Sequence, residues 1–138
     1  MTEINLYIGM KKSGLWRYGY ILEAIIRGEA VTRSGSGETA GGIRKALLTA
    51  ITEALQRITR TCSITVWIPE GTHMMGTLVS IPELAGQQYY EGMRKVPNHK
   101  QLQEIHDSGH SITWKEGESP YTNWINRNLL EEEGEKSV

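Results

Sequence analysis

The segment GIRKALLTAITEAL, residues 42–55, decides the fold because the hydrophobic period of the chain changes there. Before it, EINLYIGM (3–10) alternates polar and apolar residues, and two further runs, WRYGYILEAIIR (16–27) and EAVTRSG (29–35), are rich in β-branched and aromatic residues. Turn residues separate these runs, so they predict three strands in an antiparallel meander. From residue 43 onward, apolar residues recur at helical spacing and predict the longest helix.

The remaining elements predict two crossover connections after the meander. The long helix follows a loop at residues 34–38, has Thr39 as a candidate N-cap and continues through Thr59. The later predicted elements are a strand SITVWI (63–68), a short helix (71–79), a helix from the N-cap Asn98 to His106, a strand SITWK (111–115) and a helix from Ser119-Pro120 to Leu130. Residues 83–93 are ambiguous. This order predicts an α/β fold with a five-stranded mixed sheet, in which a three-strand antiparallel meander is joined by two crossover strands and helices pack on the sheet.

Length and composition favour one globular domain. The chain has 138 residues, of which 38% are hydrophobic, and no stretch approaches the roughly 20 apolar residues that span a bilayer. The N-terminus shows no basic leader with an apolar run, so we expect a cytoplasmic protein. The single cysteine, Cys62, excludes an internal disulfide and a multi-cysteine zinc site. We expect the domain at residues 1–130 and a disordered acidic tail at 131–138.

Three local matches, together with this element order, make residues 3–130 resemble the ribonuclease H family. YGYIL (18–22) matches the family's second strand, GIRKALLTAITEAL (42–55) matches the apolar face of its first helix, and ITW (112–114) matches its last strand. The resemblance implies a ribonuclease H-like fold. In active members it also implies two metal ions held by carboxylates from the first strand, first helix, fourth strand and last helix.

The positions that match those carboxylates do not carry them. They read Gly9 in the first strand, Arg44 in the first helix, Pro69 followed by Glu70 after the fourth strand, and Asn126 in the last helix, or Asn123 or Asn128 if the register slips. The family's histidine is missing from residues 115–119, and the only aspartate in the chain is Asp107. We therefore expect a module without catalytic residues or a bound metal.

Arg44 and Glu70 leave alternatives open. A guanidinium cannot ligate a metal, but it binds phosphate oxygens, so Arg44 is a candidate phosphate contact as well as an ordinary exposed helix arginine. Glu70 is either part of a salt bridge, an exposed residue, or one half of a relocated Mg²⁺ or Mn²⁺ site with Glu38.

Two basic clusters are candidate nucleic-acid contacts. In some family members a basic, aromatic-bearing protrusion grips a hybrid duplex at the place occupied here by QQYYEGMRKVPNHK (87–100), and the first hairpin also contacts substrate. The resemblance implies contacts from Lys11, Lys12, Arg17, Arg44, Tyr89, Tyr90, Arg94, Lys95 and Lys100. The alternative for 87–100 is a surface helix with the tyrosines half-buried under it.

Three functions remain open at this point. The first is a catalytically inactive ribonuclease H-like module that binds an RNA/DNA hybrid, a duplex, or a partner in a nucleic-acid-processing assembly. The second is a protein-interaction or structural domain, which the net charge of −1 favours. The third is a divergent metal-dependent nuclease that uses relocated glutamates such as Glu38 and Glu70.

Overall fold

The computed structural model describes residues 2–130 and contains one five-stranded mixed sheet. Strands β1 (Glu3–Ser13), β2 (Leu15–Ile26) and β3 (Glu29–Thr39) form the antiparallel meander. The elements that follow are α1 (Ile43–Gln56), β4 (Ser63–Ile68), α2 (Met75–Val79), α3 (Ile81–Gly86), β5 (Tyr90–Glu91), β6 (Arg94–Lys95), α4 (His99–Asp107), β7 (Ser111–Glu116), α5 (Thr122–Ile125) and a π-helical turn (Asn126–Leu130).

The strand order confirms the expected α/β architecture. The order in the sheet is β3-β2-β1-β4-β7, with β4 parallel to β1 and β7 parallel to β4. Each of these parallel pairings needs a crossover, and helices supply both connections. The predicted meander and the two predicted crossover strands are therefore all present.

Side-chain alternation divides the sheet into two different faces. One face packs against α1 and α4 and forms the main core, which includes Leu6, Tyr20, Leu47 and Val66. The other face is covered by α5 and the π-helical turn around a smaller cluster of Tyr7, Ile21, Ile125 and Leu130. We call them the α1 face and the α5 face.

The loop predicted at residues 34–38 is wrong, because β3 continues to Thr39 and α1 begins after Gly42. Glycines usually mark turns, but here Gly35 and Gly37 lie within β3. A Cβ atom on either glycine would collide with the tyrosine directly opposite on β2, Tyr20 or Tyr18. The glycines therefore make room for aromatic rings that lie across the strand.

Several predicted boundaries also differ. Lys11 and Lys12 belong to β1 and not to a turn, α1 ends at Gln56, and α2 begins only at Met75. Positive φ angles at Gly71 and His73 keep the residues before Met75 out of the helix. The last helix starts at Thr122, after a turn in which the Ser119 N–H donates to Thr122 Oγ1 at 2.8 Å.

Asn98 does precede α4, but it has a φ of 61° and its side chain makes no capping hydrogen bond. The ambiguous stretch 83–93 contains the end of α3 and β5, which pairs with β6 in a small hairpin. The acidic tail predicted at 131–138 lies outside the described residues. Within residues 2–130, no helix has the length and apolarity that a membrane crossing requires.

Candidate functional site

Four of the five positions that match the family's metal ligands meet at one cleft. Gly9, Pro69, Glu70 and Asn126 all line a cleft of about 240 Å³. Since β1 and β4 run parallel with Tyr7 beside Trp67, continuing this register places Gly9 beside Pro69. The other lining residues are Ile8, Met10, Gly117, Glu118 and Thr122. The cleft therefore lies just beyond the carboxyl ends of the parallel strands β4 and β7 and beside the middle of β1. In α/β proteins, ligands often bind near the carboxyl ends of parallel strands.

The last helix fills the space that a side chain at position 9 would need. Gly9 and Gly19 are directly opposite each other on β1 and β2. A Cβ on Gly9 would lie 2.7 Å from Ile125 Cγ2, and a Cβ on Gly19 would lie 2.9 Å from Leu129 Cβ. We call this pair with its two covering side chains the glycine notch. An aspartate at position 9 would collide with Ile125, so this fold is built for glycine there.

Glu70 and Glu118 are the carboxylates of the cleft, and both are exposed. Glu118 was not singled out from the sequence. Its position just after β7 could have pointed to it, because residues that follow parallel strands gather at one edge of a sheet. Residues 2–130 hold no group of three or more His, Cys, Asp or Glu side chains placed for a metal ion. The described residues thus do not fit the family's two-metal site.

Glu38 lies far from this cleft. It belongs to β3, where it forms an ion pair with Arg17 of β2 at 3.6 Å. Strands β2 and β1 separate β3 from β4, so three inter-strand steps, about 14 Å, lie between Glu38 and the β4 end that carries Glu70. The structure does not bring these two glutamates together.

Arg44 is exposed in the first turn of α1 and does not line the cleft. The turn carries no acidic residue. Of the five positions that match the family's metal ligands, Arg44 is the one outside the cleft.

The first hairpin distributes its basic residues over both faces. Lys11 pairs with Arg17, and Lys12 pairs with Trp16. Because side chains alternate along a strand, Lys11 lies on the same face as Gly9, two residues away, whereas Lys12 points to the α1 face. Lys11 and Arg17 are therefore the hairpin cations on the side of the cleft.

The second basic cluster is a β-hairpin and not a surface helix. Tyr90 of β5 pairs with Lys95 of β6, and Lys95 Nζ lies 4.8 Å from the centre of the Tyr90 ring. Arg94 and Lys100 are exposed. The prediction that Tyr89 contacts nucleic acid is wrong. Only 6% of Tyr89 is exposed and it packs in the main core, so its ring is not on the surface beside Tyr90.

The α5 face also carries an aromatic cluster that the sequence analysis did not predict. Glu23 of β2 accepts hydrogen bonds from the Tyr7 hydroxyl at 3.3 Å and the Tyr121 hydroxyl at 2.6 Å. Burial, together with the Glu23 carboxylate, raises the pKa of Tyr7 to about 12. The Tyr7 ring stacks on Trp67, and Lys115 Nζ lies 5.0 Å from the centre of the Trp67 ring. These contacts fix Tyr121, just before α5, to the sheet. No local sequence motif predicts them.

Comparison with solved structures identifies the fold. The chain is similar to LC9-RNase H1, described as a type 1 RNase H with the type 2 active-site motif, with a TM-score of 0.67 and 14% identity over 94% of this chain and 71% of that one. It is also similar to the PFV RNase H domain (TM-score 0.56, 12% identity, 88% and 82% covered).

A third similar structure is the foamy viral protease-reverse transcriptase in complex with an RNA/DNA hybrid. The TM-score is 0.62 and the identity 13%, over 94% of this chain and 19% of that one. No family model matches the sequence, and neither does any curated protein. The resemblance to the ribonuclease H-like family is thus confirmed at the level of the fold.

Proposed function

We propose that this ribonuclease H-like domain binds RNA/DNA hybrid or duplex nucleic acid without cleaving it. The observation that carries the proposal is the glycine notch, in which Ile125 takes the space of a side chain at position 9. Two-metal hydrolysis needs a carboxylate there, whereas nucleic-acid binding needs only cations and a surface of suitable shape.

Cations of the first hairpin and of the β5–β6 hairpin support the binding part of the proposal. Lys11 and Arg17 lie on the face of the sheet that carries the notch. The β5–β6 hairpin adds the exposed cations Arg94 and Lys95. The similar structure of the foamy viral protease-reverse transcriptase was solved in complex with an RNA/DNA hybrid. Phosphate contacts from such residues position a duplex without reading its sequence.

The modest number of cations predicts weak binding that depends on salt. If three or four phosphates are neutralised, the logarithm of the association constant falls against the logarithm of salt concentration with a slope of about −3. Binding therefore needs to be measured first at low salt and then across a salt series.

The test is a titration of labelled RNA/DNA hybrid, RNA duplex, DNA duplex and single strands, with and without Mg²⁺ or Mn²⁺. We expect salt-sensitive duplex binding without cleavage. Arg94→Ala should lower the salt slope by about 1, because one phosphate contact is lost. Arg60→Ala is the matched control, since Arg60 is an exposed cation preceding β4, at the opposite end of that strand from the cleft.

Two outcomes would overturn the proposal. Metal-dependent cleavage that Glu70→Gln abolishes would indicate a divergent nuclease, with Glu118 as the second carboxylate of the cleft. No binding to any nucleic acid at low salt would favour a protein-interaction domain, including one that binds a partner in a nucleic-acid-processing assembly.

A further inference from the structure

The first half of β3 is an exposed sheet edge. Among residues 2–130, β3 pairs with β2 on one side and with no strand on the other. Residues 29–34 are all exposed, and Val31 is 41% exposed at their centre. Unpaired edges of this kind form hydrogen bonds with other strands unless they are blocked. We propose that residues 29–33 of β3 pair antiparallel with the same residues of a second copy of the chain.

The hairpin geometry determines which backbone groups are free. Arg27 and Gly28 form a two-residue loop with φ angles of 53° and 80°, and Ile26 pairs with Glu29 across it. In such a hairpin the pair that closes the loop is hydrogen-bonded, and hydrogen-bonded pairs then alternate along the strands. Odd-numbered residues of β3 therefore bond to β2, whereas Ala30 and Thr32 direct their N–H and C=O groups outward.

The arginine at the C-cap of α1 borders the free edge at its far end. Arg57 Nη1 donates to the Ser34 carbonyl oxygen at 2.7 Å. This carbonyl also points outward by the same alternation, so it already has a partner. The unpaired stretch of edge thus lies before Ser34, at residues 29–33.

Charge complementarity selects one register for a second copy. The charged residues of β3 are Glu29, Arg33 and Glu38. In a two-fold antiparallel pair, outward-bonding residues can face only outward-bonding residues, so odd positions meet odd positions. Arg33 can therefore face Glu29 of the second copy but not Glu38. This pairing places Val31 opposite itself on the two-fold axis and lets Ala30 and Thr32 exchange backbone hydrogen bonds.

A row of apolar side chains on the α1 face leads up to the two-fold axis of the proposed dimer. On the α1 face, Val31 lies beside Ala24 of β2, which lies beside Ile4 of β1. These residues line a cleft of about 260 Å³, whose lining also includes Arg33 and Arg57. A second copy would extend this row across the axis. A five-residue strand pair buries less than the ~1,200 Å² of a typical stable interface, so we expect a dimer that dissociates on dilution.

The first test is the mass of the 138-residue chain, measured by sedimentation over a concentration series. We expect the mass to rise toward twice the 15.5 kDa monomer mass. Thr32→Pro removes an outward N–H without touching the β2 ladder, and it should raise the dissociation constant at least about tenfold, because each of the two Ala30–Thr32 pairs loses one of its hydrogen bonds. Ser36→Pro is the matched control: it removes an equivalent N–H outside the paired segment and should leave the dimer intact.

A charge exchange tests the register itself. Arg33→Glu places two glutamates opposite each other and should weaken the dimer, whereas Glu29→Arg combined with Arg33→Glu should restore it. Circular dichroism of each variant checks that the fold is kept. A monomer at all concentrations, equal effects of Thr32→Pro and Ser36→Pro, or failure of the double exchange to restore the dimer would each overturn the proposal. None of these measurements involves nucleic acid, so they are independent of the proposed function.

Discussion

Two glycine pairs in the same sheet make room for large side chains, but they do so for different purposes. Gly35 and Gly37 on β3 lie under the rings of Tyr20 and Tyr18, which come from the neighbouring strand. Gly9 and Gly19 lie under Ile125 and Leu129, which come from a helix more than a hundred residues later in the chain.

The first pair accommodates a contact between neighbouring strands, and the second pair includes the position that matches a metal ligand of the resembled family. The rings over β3 connect to α1 through Glu53, which accepts hydrogen bonds from the hydroxyls of Tyr18 and Tyr20. At the glycine notch, by contrast, the covering residues Ile125 and Leu129 are apolar. They limit the size of the side chain that fits at position 9. The same device therefore serves strand packing at one place and leaves little room for a side chain at position 9 at the other.

Removing the notch's central side chain should have the largest effect. Ile125 is fully buried, so Ile125→Ala should lower the free energy of unfolding by about 3 kcal/mol, through lost burial and the cavity left behind. Urea unfolding at neutral pH measures this value. The exposed Trp124 provides the control, because Trp124→Ala on the same helix should cost far less. Equal losses for the two variants would mean that Ile125 does not anchor α5.

Restoring the family's aspartate should also destabilise the fold. Gly9→Asp forces a Cβ against Ile125 and places a carboxylate beside an apolar cluster, which should cost about 2 kcal/mol. The double variant Gly9→Asp with Ile125→Ala should lose less than the sum of the two single losses, because the truncated side chain leaves space for the aspartate. Strict additivity in this double-mutant cycle would show that the two positions do not compete for space.

The glycine pair on β3, Gly35 and Gly37, should tolerate an added methyl group better than the pair at the glycine notch. In Gly37→Ala the new Cβ meets the outer end of the Tyr18 ring, and a ring can swing outward where a helix-anchored isoleucine cannot. We expect a loss of about 1 kcal/mol, mainly from the weakened hydrogen bond to Glu53. Tyr18→Phe, which removes that hydrogen bond and keeps the ring, is the matched comparison. A loss at position 37 as large as that of Gly9→Asp would remove the distinction between the two pairs.

The sequence was sufficient for the fold because its periodicities are local. The alternation in β1 and the helical spacing from Ile43 identify their elements without any tertiary information. The boundary of β3 was missed because a Ser-Gly run is typical of a loop, and only the rings of Tyr18 and Tyr20 explain it as a strand. A local rule fails where the residues that decide the conformation lie on another strand.

The candidate site could be predicted only as far as the matched motifs reached. Of the five matched positions, Gly9, Pro69, Glu70 and Asn126 line one cleft, whereas Arg44 lies outside it. The filling of position 9 by Ile125 depends on how the last helix packs, and the sequence carries no signal for that contact. The burial of Tyr89 was missed for a similar reason, since adjacent tyrosines in a turn have no period from which a face can be assigned.

The smallest expected effect is a pH dependence that separates the polar contacts of the α5 face from its apolar notch. The pKa of Tyr7 is raised to about 12 by burial and the Glu23 carboxylate, whereas a tyrosine in the unfolded chain titrates near 10. The fold thus favours the neutral hydroxyl, and this contribution to stability is complete below pH 10 and is lost as the pH rises toward 12. Chemical unfolding across this range should show stability falling with pH, and Tyr7→Phe should make the fall shallower. An unchanged slope in Tyr7→Phe would assign the alkaline loss to other tyrosines, such as Tyr18, whose pKa is also raised by burial and Glu53.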